Sequence, residues 1–191
     1  GKGYFCFMKT TAYFWFTGLS GSGKTTVANG VKRKLEECGY SVNIVDGDDV
    51  RERFHAHLGF CEKDIKENNA LIADICKEQG GAYDAVLVPI ISPFAMSRRC
   101  ARACLGECFY EIYFKADLDY VVKQDTKGLY AKARENIIKD LIGFSPDGVP
   151  YEAPAHPDFI IDAQNEEPED SIKKFFDFVL SKLKNKVEVN E

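Results

Sequence analysis

Residues 17–30 read TGLSGSGKTTVANG, and the reading of the whole chain follows from them. Gly18, Gly23, Lys24 and Thr25 fit the spacing G-x-x-x-x-G-K-[ST] of a phosphate-binding loop. The context fits as well. TAYFWFT (11–17) is an apolar, aromatic strand running straight into the loop, and Val27, Val31 and Leu35 lie on one face of a helix that leaves it. Gly18, Gly21 and Gly23 let backbone N–H groups turn inward on a polyphosphate, among the hydroxyls of Ser20, Ser22, Thr25 and Thr26. The helix N-terminus adds positive potential. Lys24 is expected to bridge the β- and γ-phosphates of ATP, and the Thr25 hydroxyl to hold Mg²⁺.

Outward from the loop the pattern alternates strand and helix. The first helix stops before Gly39, a C-terminal cap. SVNIV (41–45) reads as a second strand, 62–79 as a helix with Ile65, Ile72 and Cys76 at helical spacing, and AVLVPII (85–91) as a strand covered on both faces. A helix over 95–105, strands at 108–114 and 159–161, and a helix over about 169–184 complete the set. In that last helix Ile172, Phe175 or Phe176, Val179 and Leu183 face the core. Strand–helix alternation predicts one α/β domain over residues 1–191 with a mainly parallel five-stranded sheet. Between the fourth and fifth strands lies a long connection that opens basic and ends rich in proline and glycine, which reads as a lid at about 125–155. Residues 1–7 lack the length and cleavage site of a signal peptide and read as vector-derived, with Met8 the natural start. The charged tail KNKVEVNE is expected to fray.

The 191 residues carry a net charge of −5, which argues against nucleic acid or a membrane surface as partner but leaves room for a local basic pocket. No apolar run approaches a membrane span. Seven cysteines, an odd number with no close C-x-x-C pair, predict reduced thiols in the cytoplasm. Cys100 and Cys104 share a helix face, but Gly106 is expected to end that helix before Cys108, and no fourth metal ligand is near. His55, His57 and His156 lack metal spacing, and Trp15 reads as core.

Phosphate bound in the loop goes either to water or to an acceptor. A GTP switch needs N-K-x-D, and the nearest string, Asn185-Lys186-Val187-Glu188, ends in Glu within the tail. Asp140-Leu141-Ile142-Gly143 matches D-x-x-G but falls in the lid. A kinase is favoured. VDGDDVR (45–51) supports it, because it follows the second strand at the carboxyl edge of the sheet, where open α/β folds bind ligands. Of Asp46 and Asp48, one carboxylate can orient Mg²⁺ water and the other can take a proton from an acceptor hydroxyl. Arg51 suits an anionic acceptor.

The ordered set WFTGLSGSGKTT, DGDDVR, LGFCEKDIKENN, ISPF, KGLYAKAR and PYEAP resembles the adenylylsulfate kinases from about Tyr13 onward. The resemblance implies a three-layer P-loop fold of the nucleotide-kinase type, a homodimer, and ATP-dependent phosphorylation of the 3′-hydroxyl of adenosine 5′-phosphosulfate. By position it makes Asp48 the base. It assigns Arg51, Asn68, Ile91 and Ser92 to the acceptor nucleotide, Phe60 to the face of its adenine, and Lys127, Gly128 and Leu129 to the start of the lid. Direct in-line transfer is preferred to a phosphoserine at Ser92, since no dedicated base accompanies that serine.

Three departures stand out. Ile65 replaces the arginine that helps sandwich the adenine, Ala95 and Ser97 replace Arg and Asp, and the lid tip IGFSPDGVPYEAP reads as lengthened. Ile65 either extends the Ile72/Cys76 core face or marks a changed acceptor, such as a cytidine diphosphate derivative. A weakly catalytic nucleotide-binding regulator is the rival of another class.

Overall fold

The structure is a computed structural model and describes residues 10–54 and 58–184. Its centre is β1 (Ala12–Thr17), six residues without an exposed member. Such a strand must be covered on both faces, and side chains alternate between them. Phe14 and Phe16 point to one layer, where α1 (Lys24–Glu37) and α7 (Pro168–Lys184) supply Val27, Val31, Leu35, Phe175, Val179 and Leu183. Tyr13 and Trp15 point to the other, where α3 (Glu62–Glu78) supplies Ile72 and Cys76 and α4 (Ala95–Leu105) supplies Ala101. The outcome is three layers, helix–sheet–helix.

The sheet has the order β2-β3-β1-β4-β5, with β2 (Val42–Ile44), β3 (Ala85–Val88), β4 (Phe109–Lys115) and β5 (Phe159–Asp162). Every pairing is parallel, as the expected fold class requires. Ala12 sits opposite Ala85 and Tyr13 opposite Phe109, so all carboxyl ends share one edge. Phe175 is the buried member of the Phe175/Phe176 pair. Its ring meets Phe14 and Phe16 edge-on at centroid distances of 5.9 and 5.4 Å, the favoured aromatic geometry.

Several elements differ from the sequence-based expectation. The third strand stops at Val88 rather than running through Ile91, because Pro89 has no N–H for the ladder. VDGDDVR is not a loop alone: α2 spans Gly47–Phe54. The lid region contains α5 (Leu118–Gln124) just before it and α6 (Leu129–Arg134) within it. A short 3-10 turn over Gly106–Cys108 follows α4, whose end at Gly106 was expected. The six cysteines among the described residues are unpaired thiols, and no helix there is long and apolar enough to cross a membrane. Residues 1–9, His55, His57 and 185–191, and with them the tail motif, lie outside the described residues.

Truncating Phe175 removes the ring that joins α7 to both inward aromatics of β1. Phe175→Ala is expected to destabilise the fold by about 3–5 kcal/mol, read as a shift in the denaturant midpoint at unchanged slope.

Candidate active site

The carboxyl edge of the sheet gathers the connections after β1, β2 and β3. The loop after β1 opens with Gly18. A Cβ there would lie 2.8 Å from Phe114 Cβ and 2.9 Å from the Phe114 carbonyl oxygen on β4, so only glycine lets the chain leave the sheet at this point. Gly23 has φ +90°, the left-handed conformation that glycine adopts without strain, and it turns the chain into α1. Lys24 opens that helix. Its Nζ is folded back into the loop, donating to the carbonyls of Gly18 at 2.8 Å and Leu19 at 2.7 Å. Ser22 Oγ caps the same turn by donating to the Leu19 carbonyl at 2.7 Å. Lys24 is 8% exposed, and burial, with the Lys127 ammonium as a second cause, pushes its pKa down to about 7. Thr25 and Thr26 stand exposed in the first turn of α1.

After β2, Asp46 Oδ1 accepts the Asp48 N–H at 2.8 Å, the hydrogen bond of a helix N-cap. Asp46 is thus tied to its own helix, and Asp48, exposed in the first turn of α2, is the carboxylate left facing outward. Gly47 packs against Ile90, since a Cβ there would come within 2.8 Å of Ile90 Cγ2. That contact seats α2 beside the segment following β3. In that segment the Ile91 carbonyl accepts the Gly18 N–H at 3.1 Å, which ties it to the phosphate loop. Ser92 has φ +44° and is 2% exposed, and its Oγ accepts the Trp15 indole N–H at 2.9 Å. The Ser92 side chain is therefore held by the core, and Trp15 is core as expected.

Arg51 and Phe60 come together in a way the sequence did not suggest. The guanidinium Cζ lies 4.3 Å from the Phe60 ring centroid, and Nη1 donates to the Gly59 carbonyl at 2.6 Å. The ring face expected to meet a base carries this cation in the present structure. Asn68 is buried on α3. Ile65 is buried on the same face of α3 as Ile72 and Cys76, as one of its two readings expects, but it packs in a cluster of its own. It is 3% exposed and packs with Phe94 and Ile142, flanked by Ile91 and Val149, apart from the Ile72/Cys76 cluster. Ile142 and Val149 come from the long connection between β4 and β5, so Ile65 is the apolar seat on which that connection rests.

In the segment expected to form a lid, Gly128 has φ +67° and leads into α6. Asp125 caps α6 through both carboxylate oxygens, accepting the Tyr130 and Ala131 N–H groups at 2.9 Å each. Tyr130 then donates its hydroxyl to the Ser20 carbonyl at 2.7 Å, and Leu129 packs against the cluster that holds Leu19 and Tyr130. These contacts fasten the lid to the phosphate loop. A cleft of about 440 Å³ remains between Leu19, Leu118, Phe144, Val149 and Tyr151. Sequence reasoning missed Asp125, Tyr130, Thr17 and Tyr151. The sole signal for Thr17 is a hydroxyl closing an otherwise apolar strand.

A parallel three-layer sheet with this loop after its central strand and a lid across its carboxyl edge defines a P-loop kinase. Residues 10–162 match the family model described as adenylylsulphate kinase. An adenylyl-sulfate kinase of Bacillus pumilus is 42% identical over 175 residues, covering 89% of this chain and 85% of its own. The Mycobacterium tuberculosis APS kinase, solved in complex with AMPPNP and APS, superposes with a TM-score of 0.81 at 35% identity, covering 91% of this chain and 99% of that one. A shikimate kinase from Aquifex aeolicus, 13% identical with a TM-score of 0.54, shares the fold alone. The chain belongs to the adenylylsulphate kinase family.

Two predictions follow from this geometry. Phosphates set against Lys24 favour its charged form, so nucleotide binding raises a pKa that stands near 7 in the free loop. Binding at about pH 8 should take up a fraction of a proton, little at about pH 6, and affinity should fall as pH rises above 7. Calorimetry in buffers of different ionisation enthalpy measures the uptake, and Lys24→Ala should abolish it. Second, Ile65→Arg places a charge in the apolar contact between α3 and the lid. It is expected to lower stability by several kcal/mol, read by chemical denaturation.

Proposed function

We propose that the protein transfers the γ-phosphoryl group of ATP to the 3′-hydroxyl of adenosine 5′-phosphosulfate, giving ADP and 3′-phosphoadenosine 5′-phosphosulfate. The observation that carries this reading is the gathering of one family's ordered motifs at a single sheet edge. The phosphate loop, the start of α2 and Ile91–Ser92 meet there through the Gly18–Ile91 hydrogen bond and the Gly47–Ile90 contact. The solved M. tuberculosis relative carries an ATP analogue and APS together.

In this reading the backbone N–H groups of Gly18 to Thr26 hold the β- and γ-phosphates, and Lys24 swings from its carbonyl partners to the phosphate oxygens. The Thr25 hydroxyl, a hard oxygen at the positive end of α1, suits Mg²⁺, which supplies neutralisation of the phosphate charge. Asp48 takes the proton of the 3′-hydroxyl as that oxygen bonds to the γ-phosphorus and the bond to the β,γ-bridging oxygen breaks. Asp46 serves Asp48 by capping α2. Arg51, Phe60 and Asn68 hold the acceptor nucleotide together with the Ile91–Ser92 backbone. Ser92 acts through its backbone, since Oγ is committed to Trp15. Lys127, Gly128 and Leu129 begin the lid that excludes water. A cytoplasmic homodimer completes the proposal. The unpaired thiols support the location, and self-association is in keeping with a relative described as a hexameric APS kinase from Thiobacillus denitrificans.

Steady-state turnover of ATP with adenosine 5′-phosphosulfate tests the reading, and efficient formation of the 3′-phosphorylated product is expected. Negligible turnover alongside good turnover of a cytidine diphosphate conjugate would overturn it. Asp48→Asn should lower kcat by about 10²–10⁴ while nucleotide binding changes little.

A further inference from the structure

Thr17 is the last residue of β1, fully buried, and the residue from which the phosphate loop departs. Its Oγ1 lies 2.9 Å from the Ile91 carbonyl, 2.9 Å from the Ser92 carbonyl, 2.8 Å from the Tyr151 hydroxyl and 3.3 Å from Arg98 Nη1. A hydroxyl has one proton to give and two lone pairs to receive. Carbonyls only accept and a guanidinium only donates, so the Thr17 proton goes to the Ile91 and Ser92 carbonyls. The Tyr151 phenol then has one arrangement left to it, donation to Thr17.

Arg98 closes the same node from α4. It is 2% exposed, a charge in the interior, and its Nε stands 3.2 Å from Glu111 Oε2 on β4. Nη1 donates to the Ser92 carbonyl at 2.6 Å and Nη2 to the Glu152 carbonyl at 2.7 Å. The Glu152 N–H donates to the Pro93 carbonyl at 2.8 Å, and its carboxylate accepts the Ala95 N–H at 3.0 Å. Three pieces of chain thus meet at one point: the entry to the phosphate loop, the segment after β3, and the lid's return to the body. The left-handed backbone at Ser92 is of the kind that persists only where its surroundings over-determine it. Trp15, Thr17 and Arg98 provide that determination.

We infer that Tyr151 and Arg98 are positioning residues that join the returning end of the lid to the acceptor segment through Thr17, so that lid seating and acceptor placement are one event. The kinetic part of this inference rests on the function proposed above. Neither side chain touches the transferred group; each acts through the Ile91–Ser92 backbone and the lid.

Tyr151→Phe removes one hydroxyl and leaves the ring in place. It is expected to raise the KM for adenosine 5′-phosphosulfate about tenfold, while the KM for ATP stays within about twofold and the melting temperature barely moves. Arg98→Met should do more, and Arg98→Lys should recover part of the loss. The double variant should be little worse than Arg98→Met, because both changes break one node. Hydrogen exchange on the ligand-free full chain gives a readout independent of the acceptor. In Tyr151→Phe, residues 90–94 and 149–154 should lose protection together while β1 and β4 keep theirs. An acceptor KM within twofold of the parent would overturn the inference. So would equal loss for both substrates in step with a lower melting temperature, or unchanged or unlinked exchange in the two segments. If the parent itself fails with adenosine 5′-phosphosulfate, the proposed function falls, and exchange alone decides for or against the node.

Discussion

The structure depends on β1 being buried on both faces. A strand with no solvent side must give any polar group it buries a partner, as it does for Thr17, and it demands helices above and below. Phe14 and Phe16 call for α1 and α7; Tyr13 and Trp15 call for α3 and α4. The same burial makes the strand's exit rigid. At Gly18 the chain passes against β4 so closely that no side chain fits, and the direction of the phosphate loop is set by the sheet rather than by the loop itself. Rigid support at that point is what a transfer site needs, because reacting groups misplaced by an ångström react far more slowly.

The layers, the parallel sheet and the phosphate loop were legible because their signals are local. An apolar run, a helical stripe and a glycine–lysine spacing each lie within a dozen residues. The α4 span and the Gly106 stop were readable for the same reason. The start of α2 carried a readable signal that went unused: Asp46 as cap, acidic residues in the first turn and arginines in the last. Pro89 likewise announced the end of β3. What could not be read was tertiary. Nothing near Ile65 in the chain says that Ile142 and Val149 will cover it, so its partners, unlike its burial on the core face of α3, are visible only in three dimensions. The stack of Arg51 on Phe60 joins residues on either side of 55–57 and has no periodic signature.

Two buried cations show how differently a folded chain can treat a charge. Arg98 has a carboxylate beside it and carbonyls on both outer nitrogens, so its role is to hold chain to chain. Lys24 has two carbonyls and the Ser22 hydroxyl as its partners, and burial lowers its pKa. The first arrangement joins chain to chain; the second keeps a charge at the mouth of the helix.

The hooked Lys24 has a further consequence. Gly18 and Leu19 turn their carbonyls toward the ammonium, so the backbone of the loop itself supplies partners for a charge that burial has stripped of water. The loop is thus wound around an ammonium of the sign opposite to the phosphates it is proposed to hold. On the proposed function, ATP would compete with these two carbonyls for the ammonium, and a rotation of the Lys24 side chain alone would hand it over, the backbone of the loop keeping its course.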